Sequence, residues 1–207
     1  MLPADERPAD ELVALRDLAE SLARRAGDLA LTGRRAAAIG SSLGGTTKSS
    51  RTDVVTEFDR AAEALIVETL RRERPDDAIV GEEGTADDGT SGYAWFLDPI
   101  DGTTNFVYDL PTWSCSVAVA RGDTMLAGAV YIPALGEMFT AALGHGATLD
   151  GHPITATAEH DLSLALVGTG FGYRAETRRT QVGELQRIIG EVRDIRRMGS
   201  AAVDLCF

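Results

Sequence analysis

The sequence predicts an α+β fold. Three observations carry the prediction: helical periodicity is concentrated in two early segments, three strand-like runs joined by tight turns follow as a meander, and two short apolar runs that end in acidic residues lie between them. Leu12, Leu15, Leu18, Ala19, Leu22, Ala26 and Leu29 recur at helical spacing, so the first element is an amphipathic helix whose role is packing. Residues 33–47 are rich in Gly, Ser and Thr and read as a mobile loop leading to Lys48. A second helix is predicted over residues 54–72, with Phe58, Ala62, Leu65, Ile66 and Leu70 on its apolar face. Residues 78–81 form a short apolar strand running into Glu82 and Glu83, residues 87–92 a surface loop, and residues 93–97 an aromatic and apolar strand running into Asp98. The runs at 116–120, 125–131 and 137–142 should form an antiparallel meander. Beyond it come a turn-rich connection over 144–153, a strand over 164–168 and a helix over 177–192. Two lobes are expected, residues 1–153 and 154–207, the boundary falling near 153–163.

Composition narrows the function classes. A chain of 207 residues, 44% hydrophobic, can bury a large core. Its net charge of −12 argues against nucleic-acid backbones and anionic membranes as partners. Acidity fits a carboxylate-rich cation site, and it also serves solubility. Cys115 and Cys206 form no Cys-x-x-Cys pair, which speaks against disulfide scaffolding and zinc and for a reducing cytoplasm. The first residues are acidic and lack an apolar core of the signal-peptide kind, so no export is expected.

The segment Trp95-Phe-Leu-Asp98-Pro-Ile-Asp101-Gly-Thr-Thr-Asn-Phe106 holds the most chemistry. Pro99 lacks an N–H and has a fixed φ, so it is expected to end the strand and turn the chain until Asp98 and Asp101 face one cleft. Gly102 permits close backbone approach, and the N–H groups of Gly102, Thr103 and Thr104 open a short helix where an anion is favoured. Two carboxylates beside an anion site require cations between them, and all-oxygen donors point to Mg²⁺ or Mn²⁺. The alternative is an Asx-Pro turn with Asp101 as a helix N-cap. Glu82 and Glu83 could join Asp98 at one sheet edge or form a solvated charge pair. Asp53 or Thr56 could simply cap the second helix.

Other motifs fail on context. Gly40-Ser-Ser42-Leu-Gly44 has no strand leading into it, so it is no nucleophile elbow. Gly45-Thr-Thr-Lys48-Ser lacks the glycine and strand of a P-loop. His145, His152 and His160 lie in turn-like surroundings without metal spacing.

Lys48-Ser-Ser, Asp53-Val-Val-Thr-x-x-Asp59, Gly81-Glu-Glu83, the Asp98-Pro-Ile-Asp-Gly-Thr segment and Arg197-Met-Gly-Ser-Ala-Ala202 occur in the order and rough spacing of the inositol monophosphatase family, which the chain therefore resembles. The resemblance implies a layered αβαβα fold, dependence on Mg²⁺, sensitivity to lithium and a homodimer. It implies that Glu82, Asp98 and the Ile100 carbonyl hold a first Mg²⁺ and that Asp98 and Asp101 hold a second, with Glu82 helping a third. Thr103 and Glu82 would orient the attacking water, Asp59 would hydrogen-bond Thr103, and Glu83 and Lys48 would support the site. The N–H groups of Gly102 and Thr103 would bind phosphate, while Asp101 and the backbone at Ala201 would meet substrate hydroxyls.

Thr104-Asn105-Phe106 resembles the inositol phosphatase branch more than the histidinol-phosphate branch, and fructose 1,6-bisphosphate is a further candidate substrate. Two departures stand out: Arg51 replaces a proline common after Lys-Ser-Ser, and the family's later Trp-Asp motif is absent. The helical pattern at the end breaks off on Leu205, Cys206 and Phe207 without a stop signal, so the C-terminal portion of the fold is expected to be missing. A regulatory role beside the transcription machinery, which the resemblance also brings in, is the alternative to catalysis.

Overall fold

A computed structural model describes residues 9–40, 45–47 and 54–207. Lys48, Arg51 and Asp53 lie outside the described residues. The first helix, α1, spans Ala9–Gly40, 32 residues. Two short strands, β1 (Gly45–Thr47) and β2 (Val54–Thr56), pair antiparallel, and α2 (Glu57–Glu73) follows directly. Next come β3 (Ala78–Gly81), β4 (Ala86–Asp87), β5 (Tyr93–Asp101) and the one-turn helix α3 (Thr103–Val107). The meander is β6 (Ser114–Arg121), β7 (Thr124–Ile132) and β8 (Glu137–Ala142), extended by β9 (Gly146–Leu149) and β10 (His152–Ile154). After a short 3₁₀ turn at Leu162–Leu164, β11 (Leu166–Gly168), α4 (Ala175–Ile188), β12 (Asp194–Arg196) and α5 (Ala201–Cys206) complete the described chain.

The main sheet has eight strands in the order β10-β9-β8-β7-β6-β5-β3-β4. All its pairings are antiparallel except β3 with β5. Alternation along β5 makes one face apolar: Tyr93, Trp95 and Leu97 are buried while Phe96 between them is exposed. Against that face α1 and α2 bring Leu15, Ala19, Leu22, Ala26, Ile66 and Leu70, and helices and sheet close into one core with Val117, Val119 and Met138. The other face carries α5, whose Val203 is buried against Ile132 and Phe139. Beyond Ile154 the chain leaves this sheet, and β11 and β12 pair with each other in parallel.

Five local expectations are corrected. Residues 33–40 continue α1 instead of forming a loop, because Gly33 is a packing glycine: a Cβ there would lie 2.4 Å from the Phe58 ring, so its small size serves helix contact and not flexibility. The second helix starts at Glu57, since Val54–Thr56 pairs with β1 as a strand. Residues 86 and 87 pair with β3, and residues 144–153 contain a hairpin whose turn at Asp150 and Gly151 takes positive φ. Pro99 does not end its strand. β3 pairs β5 only as far as Leu97, so no strand on that side needs a donor from Pro99, and β5 runs on to Asp101 through a bulge.

Candidate functional site

The bulge is what builds the site. Side chains three apart on a regular strand point to opposite faces. Here Asp98 faces Ser116 and Asp101 faces Ser114, so three steps on β5 match two on β6, and the extra residue turns both carboxylates to the same face. Glu82 joins them because its N–H donates to the Leu97 carbonyl at 3.1 Å, which continues the parallel register of β3 one residue past the strand end. Asp59, 2% exposed in the first turn of α2, adds a fourth acidic group within electrostatic reach of Asp98.

Like charges are crowded here. Burial first, then the charges of Glu82 and Asp101, push the Asp98 carboxyl up to about 9, and it is hydrogen-bonded to Glu82. One Asp98 oxygen, Oδ1, is buried with no hydrogen-bond partner among the described residues. No group of three or more His, Cys, Asp or Glu side chains among the described residues is already gathered as a metal cage. A buried acceptor left over among crowded acidic side chains nevertheless fits a hard divalent cation, which satisfies that oxygen and offsets the like charges around it.

Asp101 is held differently. Its Oδ2 accepts the Ser200 hydroxyl at 2.5 Å and the Ala202 N–H at 2.6 Å, so the start of α5 is fastened to the end of β5. Ser200 also caps α5 by accepting the Val203 N–H and lies 3.2 Å from the Ser114 hydroxyl. Ala201 thus sits in the backbone next to Asp101, between the two residues that bind it.

Gly102 connects β5 to α3 at φ +89°, and a Cβ there would meet Ser200 Cβ at 3.1 Å and the Gly199 carbonyl at 3.2 Å. Only glycine fits both conditions. Thr103 donates its hydroxyl to the Ile100 carbonyl at 3.1 Å, which leaves the lone pairs of that hydroxyl as acceptors. Asn105 donates to the Met198 carbonyl at 2.7 Å and to Thr112, tying α3 to the segment before α5. Arg34, 7% exposed near the end of α1, donates to the Phe106 carbonyl and closes the other end of α3. Glu83 donates its N–H to Glu63 on α2.

The structure therefore brings Glu82, Asp98, Asp101 and Asp59 together and sets Ile100, Gly102, Thr103 and Ala201 beside them; Lys48 lies outside the described residues. Ser200, Asn105 and Arg34 were missed. Ser200 carried a readable signal, a serine immediately before a short apolar helical run, whereas Asn105 and Arg34 act through contacts with partners distant in the chain. An apolar groove of about 760 Å³ runs from Ser116 across β7 to β9 toward Phe207, but none of the acidic site residues lines it, so it is no place for a phosphate.

Comparison with known proteins agrees with this architecture. The inositol monophosphatase family model matches residues 11–207. The inositol-1-monophosphatase SuhB of Mycobacterium tuberculosis is 41% identical over 215 residues, covering 97% of this chain and 74% of the relative. A protein of Pasteurella multocida named Nus factor SuhB is 40% identical over 165 residues, covering 78% of this chain and 61% of its own length. The crystal structure of the extragenic suppressor protein suhB from Bartonella henselae superposes with a TM-score of 0.86 at 30% identity, over 93% of this chain and 73% of that one.

Proposed function

Because the chain belongs to the inositol monophosphatase family, we propose that it is a Mg²⁺-dependent phosphomonoesterase hydrolysing inositol 1-phosphate or a similar small polyol phosphate. The observation that carries the reading is the β5 bulge, which turns Asp98 and Asp101 to one face beside Glu82 and leaves a buried Asp98 oxygen without a partner. Glu82, Asp98, Asp101 and the Ile100 carbonyl are the donors for the cation, and Mn²⁺ suits the same hard oxygens. When bound, the divalent cation neutralises phosphate charge and acidifies water.

The chain's own groups do the rest by positioning. Thr103 donates its hydroxyl hydrogen bond to the Ile100 carbonyl, so its oxygen is left to accept a hydrogen bond from the attacking water, and Glu82 accepts the other. Asp59 steadies Thr103, and Glu83 and Lys48 support the site. The N–H groups of Gly102 and Thr103, at the start of α3, are the donors assigned to the phosphate. Asp101 and the backbone at Ala201 receive the polyol hydroxyls, Asp101 being oriented by Ser200 and Ala202. No phosphorylated side chain is required.

We further propose two lobes, 1–153 and 154–207, a homodimer in the cytoplasm, and inhibition by lithium. Departure of the chain from the main sheet after Ile154 supports the boundary. No helix among the described residues is long and apolar enough to cross a membrane.

Phosphate release from inositol 1-phosphate, histidinol phosphate and fructose 1,6-bisphosphate, each with Mg²⁺ and with added Li⁺, tests the substrate assignment. Preference for inositol 1-phosphate is expected, and preference for histidinol phosphate would overturn it. The relative named Nus factor supports a second reading, a regulatory partner role. A stoichiometric partner recovered equally by the wild type and by Asp98→Asn, without phosphatase activity, would favour that role.

A further inference from the structure

Glu63 is a charged side chain that the reaction scheme does not use. It lies one helical turn after Asp59 on α2 and is 5% exposed. A buried carboxylate is costly unless its oxygens are satisfied. Here one short piece of chain satisfies both. Oε2 accepts the Glu83 N–H at 2.9 Å, and Oε1 accepts the Thr85 N–H at 3.3 Å and the Thr85 hydroxyl at 2.6 Å.

That piece is the turn after β3 that carries Glu82. It is closed by the Gly81 N–H on the Thr85 carbonyl at 2.8 Å and by Gly84 at φ +109°. Gly81 is pressed onto the same carboxylate, since a Cβ there would lie 2.4 Å from Glu63 Oε2. On its other side Glu82 is pinned by its N–H to the Leu97 carbonyl, one residue from Asp98. Glu82 is therefore held between β5 and a carboxylate clamp on α2.

We infer that Glu63 is a positioning residue: it fixes the turn from Gly81 to Thr85 so that the Glu82 carboxylate meets Asp98 in the cation site. The inference rests on the cation-site reading proposed above. An apolar residue of similar volume would fill the space but leave the Glu83 and Thr85 donors unpaired. Glutamine keeps the shape, yet whichever way its amide is turned, an NH₂ group faces a donor.

The test uses the 207-residue chain with Mn²⁺ as the probe, its binding read from the EPR signal of the free ion, alongside amide hydrogen exchange and Tm. Glu63→Gln and Glu63→Ala are compared with Thr69→Ala, a buried α2 position whose hydroxyl donates to the Leu65 carbonyl of its own helix. Faster exchange at Glu83 and Thr85 and Mn²⁺ affinity weakened about tenfold or more are expected in the Glu63 variants, with Mn²⁺ affinity unchanged in Thr69→Ala. Glu63 variants that fold and bind Mn²⁺ as tightly as the wild type would overturn the inference. So would a Thr69→Ala protein whose affinity falls as far at an equal loss of Tm. A wild type that binds no Mn²⁺, or binds it no better than Asp98→Asn, would instead sink the cation-site reading on which the inference stands, and that failure is visible without any change at Glu63.

Discussion

Ser200 donates its hydroxyl to Asp101 across 2.5 Å of space and 99 positions of sequence. The bond couples two events of folding: the bulge that exposes the Asp101 carboxylate and the start of α5, which the same serine caps. Ser200→Ala should remove both the cap and the hold on Asp101. Loss of the cap costs about 0.5–2 kcal/mol. Loss of the hold should lower kcat/KM by about tenfold, and Ser200→Thr, which keeps the hydroxyl, should recover most of it. Steady-state kinetics of both variants with a urea titration would check this, and equal activity in wild type and Ser200→Ala would refute it.

Arg34 should matter more than its distance from the carboxylates implies. Its Nε is 2.5 Å from the Phe106 carbonyl at the end of α3, and its guanidinium is 3.1 Å from Asp109, a side chain 78% exposed. The exposed ion pair contributes little. The buried charged hydrogen bond is worth about 1.5–3 kcal/mol. Arg34→Met should therefore lower the urea midpoint and reduce kcat by displacing α3, while Asp109→Ala should do neither. Arg34→Lys should not restore the wild type, because an ammonium lacks the guanidinium fork.

Asp77 predicts acid sensitivity. Desolvation raises its carboxyl, but hydrogen bonds from Ser91, Arg74 and Trp95 outweigh this and hold it below the ordinary carboxylate range. With the folded pKa depressed, its contribution is present above the unfolded value of about 3.9 and is lost as pH falls through the lower, folded value. Asp77→Asn should be less stable than the wild type by about 1–3 kcal/mol at neutral pH. The gap should stay constant down to about pH 5 and narrow below about pH 4. Thermal unfolding of the two proteins across this range would decide it, and a gap independent of pH would contradict the assignment.

Asp98 predicts the opposite sign. Its burial and the neighbouring charges oppose ionisation, so the cation-free protein carries a stability penalty from clustering its acids. Asp98→Asn should raise Tm measured in EDTA by about 2–4 °C, the shift expected for ~1 kcal/mol in a domain of this size. A fall in Tm would show that the cluster is not strained.

These residues mark how far the sequence could be read. Asp98, Asp101, Glu82 and Gly102 were legible because acids that follow apolar runs and a glycine before a helix are local signals, although Asp98 proves to lie inside β5 and not at its end. The device that joins them was not: Pro99 reads locally as a strand end, and only the length of β3, which stops pairing at Leu97, shows why the strand continues through a bulge. The helices and the meander followed from their periods. Gly33 misled because a glycine that admits the Phe58 ring looks, in one dimension, like a glycine that opens a loop. Glu63 and Arg34 belong to the same class, since each is an ordinary helix residue until the turn or helix end it satisfies is folded against it.

The central claim is that the acidic cluster around Asp98 hydrolyses a polyol phosphate with a bound divalent cation. Phosphate release from inositol 1-phosphate by the wild type and by Asp98→Asn, with Mg²⁺ and then with excess EDTA, tests it most directly. Release by the wild type that EDTA abolishes, Mg²⁺ restores and Asp98→Asn lacks is the predicted result. Release that persists in EDTA, or in the folded Asp98→Asn protein at the wild-type rate, would contradict the claim.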